Sequence, residues 1–341
     1  MSETLLLGTY TRGNSQGIYT VDLDTKQKEL NNLKLIAETG SPTYLTEFNG
    51  GDVIYSVYSK DDQGGIASFV KEEGRYILKD TVTEEGAAPC YVAYDEGRKL
   101  VYTANYHKGE LQILKTDEDG SLSLVQSIEH AGSGPHENQT SAHAHYFDLT
   151  PDNKYVVSCD LGTDEVHTYN VDQDGTATEV NKLEVTGGFG PRHLVFHPDG
   201  THAYLFGELS SEISVLEYND GTFKVIDTVS TLPEDFTGES SGAAIRISTD
   251  GKFLYASNRG HDSIVTYQIN DDYLIEAINW IKTEGKTPRD FNLTPDENFV
   301  IAGHQHEDKL TLFERDEQTG KLNLVQKDVT APEVVCVEII Q

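Results

Sequence analysis

Short runs of alternating apolar and polar residues, broken by tight turns, fill this chain from end to end. The clearest example is Gly190-Pro191-Arg192-His193-Leu194-Val195-Phe196, then the turn Pro198-Asp199-Gly200, then Ala203-Tyr204-Leu205-Phe206-Gly207-Glu208. Two such runs around a Gly-containing turn predict a β-hairpin. No stretch of ten residues carries the 3.6-residue apolar period of an amphipathic helix.

The hairpin recurs. Pro191 stands seven residues before its turn, and the same offset joins Pro288 to Pro295-Asp296-Glu297 and Ala144 to Pro151-Asp152-Asn153. It also joins Gly242 to Thr249-Asp250-Gly251, Pro89 to Glu96-Gly97 and Pro42 to Asn49-Gly50. The anchors at 42, 89, 144, 191, 242 and 288 are 47, 55, 47, 51 and 46 residues apart. Each unit continues with an aromatic-rich second strand and an alternating third strand such as Ile213-Ser214-Val215-Leu216-Glu217-Tyr218. An acidic-Gly turn (Asp119-Gly120, Asp174-Gly175, Asp220-Gly221) then leads into a fourth strand. Four strands in a period of about 45 residues mark the blade of a β-propeller.

Six anchored units run from residue 41 to about 333, and the ends of the chain complete the count. Residues 5–9, 17–23 and 33–38 read as three strands and residues 334–340 as one more. Three plus one predict a seventh blade in which the two ends pair, which closes the ring and removes its open edges. The fold class is therefore all-β, a seven-bladed β-propeller of four-stranded blades, taken as a single domain over 1–341. The longest irregular stretches, 130–142 and 232–241, are expected to form loops at one mouth.

Composition narrows the partners. Hydrophobic residues make up 37% of the chain, with 18 Tyr and 12 Phe, as in a globular protein. The 26 Lys and Arg against 57 Asp and Glu leave a net charge of −31. Such a chain repels nucleic acid and anionic membrane surfaces, so neither is expected as a partner. No apolar run approaches the roughly 20 residues of a membrane span. The start lacks the basic region of a secretory signal. Cys90, Cys159 and Cys336 are odd in number and far apart, with no CxxC spacing. A reducing cytoplasm is the expected setting. Oligomeric state stays open between a monomer and a weak dimer.

In a propeller the innermost strands line the channel, so one repeat position converges in space. The slot after each anchor holds Thr43, Cys90, His145, Arg192, Ala243 and Arg289. Sixteen residues after the anchors come Tyr58, Asn105, Asp160, Gly207, Asn258 and His304; seventeen after come Ser59, Tyr106, Leu161, Glu208, Arg259 and Gln305. Asp160 and Asn105 are of the kind that satisfy strand-end backbone groups. Arg192 and Arg259 fit that role poorly, because an arginine in a narrow channel costs several kcal/mol unless paired or solvated. Against so acidic a background they point to an anion. Glu208 either takes part or serves as the arginines' partner.

His143 and His145, and again His304 and His306, are spaced i, i+2, which places both rings on one face of a strand. No Asp/Glu cluster completes a ligand set by spacing, so no metal is expected. His145 shares its slot with Arg192 and is the channel candidate, while His143 is expected to pack at the strand's start or to support the mouth. His193 and His197 point elsewhere by alternation and are expected to be structural.

Gly8-Thr9-Tyr10-Thr11, Ala104-Asn105-Tyr106, His143-Ala144-His145, Gly190-Pro191-Arg192-His193-Leu194, Ser257-Asn258-Arg259-Gly260 and Thr287-Pro288-Arg289 sit at matching repeat positions. Together they resemble the bacterial propeller-type 6-phosphogluconolactonases over residues 5–340. The resemblance implies hydrolysis of 6-phospho-D-glucono-1,5-lactone to 6-phosphogluconate, a pentose phosphate pathway step, with no cofactor. The related fungal carboxymuconate cyclases make a lactone on the same scaffold, and a His, a Glu and two Arg in their channel are implicated. His145, Glu208, Arg192 and Arg259 stand at the matching positions.

Opening such a lactone requires an activated water, stabilisation of the carbonyl oxygen and a proton for the leaving alkoxide. No Gly-x-Ser-x-Gly elbow is present to supply an acyl-serine route. General-base hydrolysis fits, with Glu208 or His145 as base. Arg192 and Arg259 would stabilise the oxyanion, a contribution of roughly 3 kcal/mol per donor. Arg289 would take the phosphate, whose geometry a guanidinium fork matches. His143, Asn105, Tyr106, Asn258 and Gln305 are the further candidates for substrate contact. Two alternatives remain: a lactonase or cycloisomerase for an unphosphorylated organic acid, and a non-enzymatic binding scaffold.

Overall fold

The computed structural model describes residues 2–340. Among these residues there is no helix, hence none long and apolar enough to cross a membrane. Their 28 strands form seven four-stranded sheets. Within a sheet the strands follow one another in chain order, as in Pro191–Phe196, His202–Gly207, Glu212–Asn219 and Thr222–Ser230, each antiparallel to the next. One sheet joins the chain ends: Val334–Ile339 lies antiparallel to Ser2–Thr9, with Leu5 opposite Ile339 and Leu7 opposite Val337. Gly17–Asp24 and Glu29–Glu38 complete it.

The first strand of each sheet contacts the first strand of the next. Val334–Ile339 closes the circle by touching both Leu45–Phe48 and Pro288–Leu293. Seven sheets arranged in this way are the blades of a propeller, and their first strands surround its channel.

Burial explains the sequence pattern. Second strands are sandwiched between blades and are nearly all buried, as in His202–Gly207, whereas fourth strands such as Thr222–Ser230 are largely exposed. The apolar core is a set of clusters spanning neighbouring blades. Tyr204, Phe206, Ile213 and Val215, for example, pack on Ile245, Leu254, Ala256, Val265 and Tyr267. Full burial of one such side chain contributes about 1.5–3 kcal/mol.

The turns that revealed the period are braced alike. In three blades a hydroxyl bonds the Asp two residues on and the backbone carbonyl five residues on. The sets are Thr150 with Asp152 and Tyr155, Ser248 with Asp250 and Phe253, and Thr294 with Asp296 and Phe299. Irregular segments 130–143 and 231–240 lead directly into first strands, at the end of the channel where those strands begin.

Candidate active site

The slots of His145, Arg192 and Arg289 owe their aim to a break in strand pairing. Pro191 faces Gly207 and His193 faces Phe206, so Arg192 is an extra, unpaired residue. His145 is the extra residue between Ala144–Asp160 and Tyr146–Cys159, and Arg289 the one between Pro288–His304 and Asp290–Gly303. Val335 holds the same place beside Gly8 and Thr9. A β-bulge bends the strand locally and redirects a side chain, here toward the channel. Ahead of Arg192, Gly190 adopts a left-handed φ of 67°, and its N–H donates to Asp164 Oδ1 at 2.8 Å. A Cβ at Gly190 would lie 2.6 Å from Leu209.

These residues line a cavity of about 390 Å³. Glu208 Oε2 accepts from Arg192 Nε at 3.0 Å and forms an ion pair with Arg259 Nη2 at 2.9 Å. The guanidinium groups are fixed further by backbone carbonyls: Arg192 Nη1 donates to Ala243 O at 2.7 Å and Arg259 Nη2 to Gly242 O at 2.6 Å. Arg259 Nε is buried with no hydrogen-bond partner among the described residues. Among the described residues Arg289 bonds only Gln305 Oε1, at 3.2 Å. Arg12 lies over the Tyr10 ring, 3.9 Å from its centroid.

Burial and charge set the protonation states. Burial would raise the Glu208 pKa, but Arg259 and Arg192 outweigh it and hold the carboxyl down to about 2. Burial and the neighbouring Arg289 lower Arg192 to about 10, so it stays a cation at neutral pH. Burial first, and Arg192 next, push His145 well below 6.5, so its imidazole is neutral. Burial raises the Cys90 thiol to about 11, which keeps it from acting as a thiolate nucleophile at neutral pH.

His145, Arg192, Glu208, Arg289 and Tyr106 line the cavity, and Arg259 and Gln305 reach it through the residues they bond. His143 stands behind the wall: its ring stacks on Tyr106 at 4.3 Å and its Nδ1 bonds Tyr106 O at 2.7 Å. Asn105 and Asn258 do not line the cavity. Asn105 Oδ1 accepts the N–H of His107 and Lys108, and Asn258 Nδ2 donates to Thr231 O. Asp160 likewise binds the N–H groups of His143, Gly162 and Thr163. His304 Nδ1 faces the Lys309 carbonyl at 3.1 Å. Among the described residues no three His, Cys, Asp or Glu converge as metal ligands.

The expectation that His193 points away from the channel is corrected. It lines the cavity, with Nε2 3.2 Å from His145 Nδ1, because the bulge at Arg192 breaks the strict alternation. Arg12 and Tyr44 also line the cavity without having been singled out, as do Ser59 and Tyr10, which stand only in a repeat slot and a motif and not among the site candidates. Thr9 pairs with Val334 as Gly207 pairs with Pro191, so Tyr10 holds the slot of Glu208 and Tyr106. Carrying the repeat across the joined termini would have found Tyr10 and Val335. Nothing in the repeat marks Arg12.

Residues 4–339 match the family described as "Lactonase, 7-bladed beta-propeller". The chain is 42% identical over 340 residues to the 6-phosphogluconolactonase of Bacillus subtilis, covering 98% of this chain and 97% of that protein. A crystal structure of a Lactobacillus plantarum protein superposes with a TM-score of 0.98 at 47% identity, covering 100% of both chains. The periplasmic gluconolactonase of Pseudomonas aeruginosa superposes with a TM-score of 0.92 at 28% identity, covering 100% of this chain and 99% of that one.

Proposed function

The chain belongs to the seven-bladed β-propeller lactonases, enzymes that hydrolyse a cyclic carboxylic ester, and from that premise we propose that its substrate is 6-phospho-D-glucono-1,5-lactone. One observation carries this reading. Glu208 neutralises part of the Arg192–Arg259 pair, yet Arg12 and Arg289 also line the cavity with no ion pair among the described residues. A chain of net charge −31 that gathers unpaired arginines in one cavity is built for an anion beyond the transient oxyanion. A phosphate dianion accepts the guanidinium fork in two parallel bonds.

In this reading His145 is the general base. It is neutral and free to accept a proton, whereas the Glu208 carboxylate is engaged by two guanidinium groups. Water attacks the lactone carbonyl carbon as His145 takes its proton. Arg192, oriented by Glu208 and the Ala243 carbonyl, stabilises the oxyanion. The ring C–O bond then breaks, and the proton returns from His145 to the leaving ring oxygen. Glu208 sets the two guanidinium groups, and Arg289 binds the phosphate.

A second reading, an unphosphorylated aldonolactone, draws on the likeness to the Pseudomonas aeruginosa gluconolactonase. It gives Arg12 and Arg289 nothing to bind. The two are separated by measuring kcat/KM for freshly made 6-phosphogluconolactone and for gluconolactone with the same enzyme. A ratio of 10 or more in favour of the phosphorylated lactone is expected from one charge-assisted arginine–phosphate contact of about 1.5–3 kcal/mol. A ratio near one supports the second reading.

A further inference from the structure

The mechanism above leaves unused the buried imidazole that faces His145. His193 is 4% exposed, and His145 3%. Its Nε2 meets His145 Nδ1 at 3.2 Å, while its Nδ1 bonds no described residue. The His193 ring is part of an aromatic floor across the channel, with centroid distances of 5.3 Å to Tyr91, 5.7 Å to Tyr146 and 6.0 Å to Tyr44. Below the floor lies a second cavity of about 300 Å³, lined by Asp148, Arg246, Asn292 and Glu338. His193 lines both cavities, and no other histidine among the described residues does.

The charges on the two sides differ. Above the floor, burial first, then Arg192 and Arg289, oppose a positive charge on His145, with Glu208 acting the other way. Below it, Arg246 is paired with Asp290 at 2.9 Å, Asp148 accepts from the Tyr91 hydroxyl at 2.7 Å, and Glu338 faces the same space. A proton held on His145 is therefore disfavoured, and one delivered below the floor meets the Asp148 carboxyl group, Glu338 holding its own proton at neutral pH.

We propose that His193 is a further catalytic residue, joining His145 in a two-imidazole proton relay between the arginine cavity and the lower chamber. It rests on the reading of His145 as the base. When His145 Nδ1–H donates to His193 Nε2, His145 Nε2 carries the lone pair and His193 holds its proton on Nδ1. As His145 Nε2 takes a proton from the attacking water, its Nδ1 proton passes to His193 Nε2. The Nδ1 proton of His193 then leaves to water in the lower chamber. Protonation of the leaving ring oxygen by His145 Nε2 runs the chain backwards and restores both tautomers. Neither ring is left as a cation, and no proton is gained or lost over the cycle.

The test compares His193→Gln with His145→Gln. A Gln amide places an oxygen near the position of the His193 Nε2 atom, so it can hold the His145 tautomer but cannot pass a proton on. His193→Gln is expected to fold with an unchanged CD spectrum, keep KM within about threefold and lower kcat by roughly 10²-fold, the low end for a proton-transfer residue. In His193→Gly, added imidazole should restore kcat in a saturable way, which a packing role would not produce. In the wild type, kcat in H2O–D2O mixtures should curve with deuterium fraction, reporting several protons in flight. A kcat within threefold of wild type in His193→Gln, with His145→Gln inactive, overturns the relay and leaves the base. A linear, one-proton dependence overturns it as well. Normal turnover in His145→Gln removes the base and the relay with it.

Discussion

Arg289 separates the phosphate reading from its rival. It is half-buried at the cavity wall, and its only hydrogen bond among the described residues is Nη1 to Gln305 Oε1 at 3.2 Å. It bridges no carboxylate, so its removal strands no buried charge. Arg289→Met keeps the length of the stem and deletes the fork. A charged hydrogen bond contributes about 1.5–3 kcal/mol, and Arg12 at the rim recovers part of what is lost. The expected change is a 10- to 100-fold rise in KM for 6-phosphogluconolactone, at about 1.4 kcal/mol per tenfold, with kcat nearly unchanged because phosphate contact is shared by ground and transition states. Gluconolactone, which lacks the phosphate, should change less than threefold. The assay is acid release at constant pH on fresh lactone, with spontaneous opening subtracted, on both substrates. Equal losses on both would place Arg289 at the lactone ring and refute the phosphate assignment; so would no loss on either.

Two further expectations concern protonation. Burial and Arg192 hold His145 well below 6.5, and the neutral ring is the active form. Wild-type kcat should therefore stay level as pH falls through 6.5 and decline only further down. That acid limb should survive Glu208→Gln; its disappearance in that variant would give the base role to the carboxylate. Glu338, in the lower chamber, has its pKa raised from 4.5 to about 8 by burial, with Arg246 opposing and Asp290 adding to the rise. The folded state thus binds this proton more tightly than the unfolded chain does. Its ionisation weakens the fold progressively from pH 4.5 to 8, by at most roughly 5 kcal/mol. Glu338→Gln should raise Tm more at pH 8 than at pH 5 in parallel thermal melts, and an equal gain at both would contradict it.

The anchored blades were legible because they repeat the same covalent sentence: a proline or small anchor, a turn seven residues on, braced in three blades by a Ser/Thr–Asp bond, and an aromatic strand. Ring closure followed from the strand count, since Ser2–Thr9 and Val334–Ile339 had no other partner to satisfy their edges. The site was legible to the extent that repeat slots converge, which gathered His145, Arg192, Glu208, Arg259 and Arg289. What escaped had a common physical origin. A one-residue bulge shifts the alternation without leaving a mark in residue type, so His193 was placed on the wrong face of its strand. Asn105 and Asn258 stand one position before the slot of Tyr106 and Arg259, and the whole of their own slot lies outside the cavity lining, with both side chains taken by nearby backbone. Arg12 sits in the connection after the first strand, outside the repeat altogether.

The central claim is that this propeller opens 6-phosphogluconolactone in the cavity built around Arg192. The most direct test is the hydrolysis rate of freshly generated lactone above the spontaneous rate, wild type against Arg192→Ala. Fast turnover in the wild type and a fall of 10²-fold or more in kcat in the variant, the cost of removing one oxyanion donor, is the result expected. Turnover that the substitution leaves intact, or no rate above background in the wild type, would contradict it.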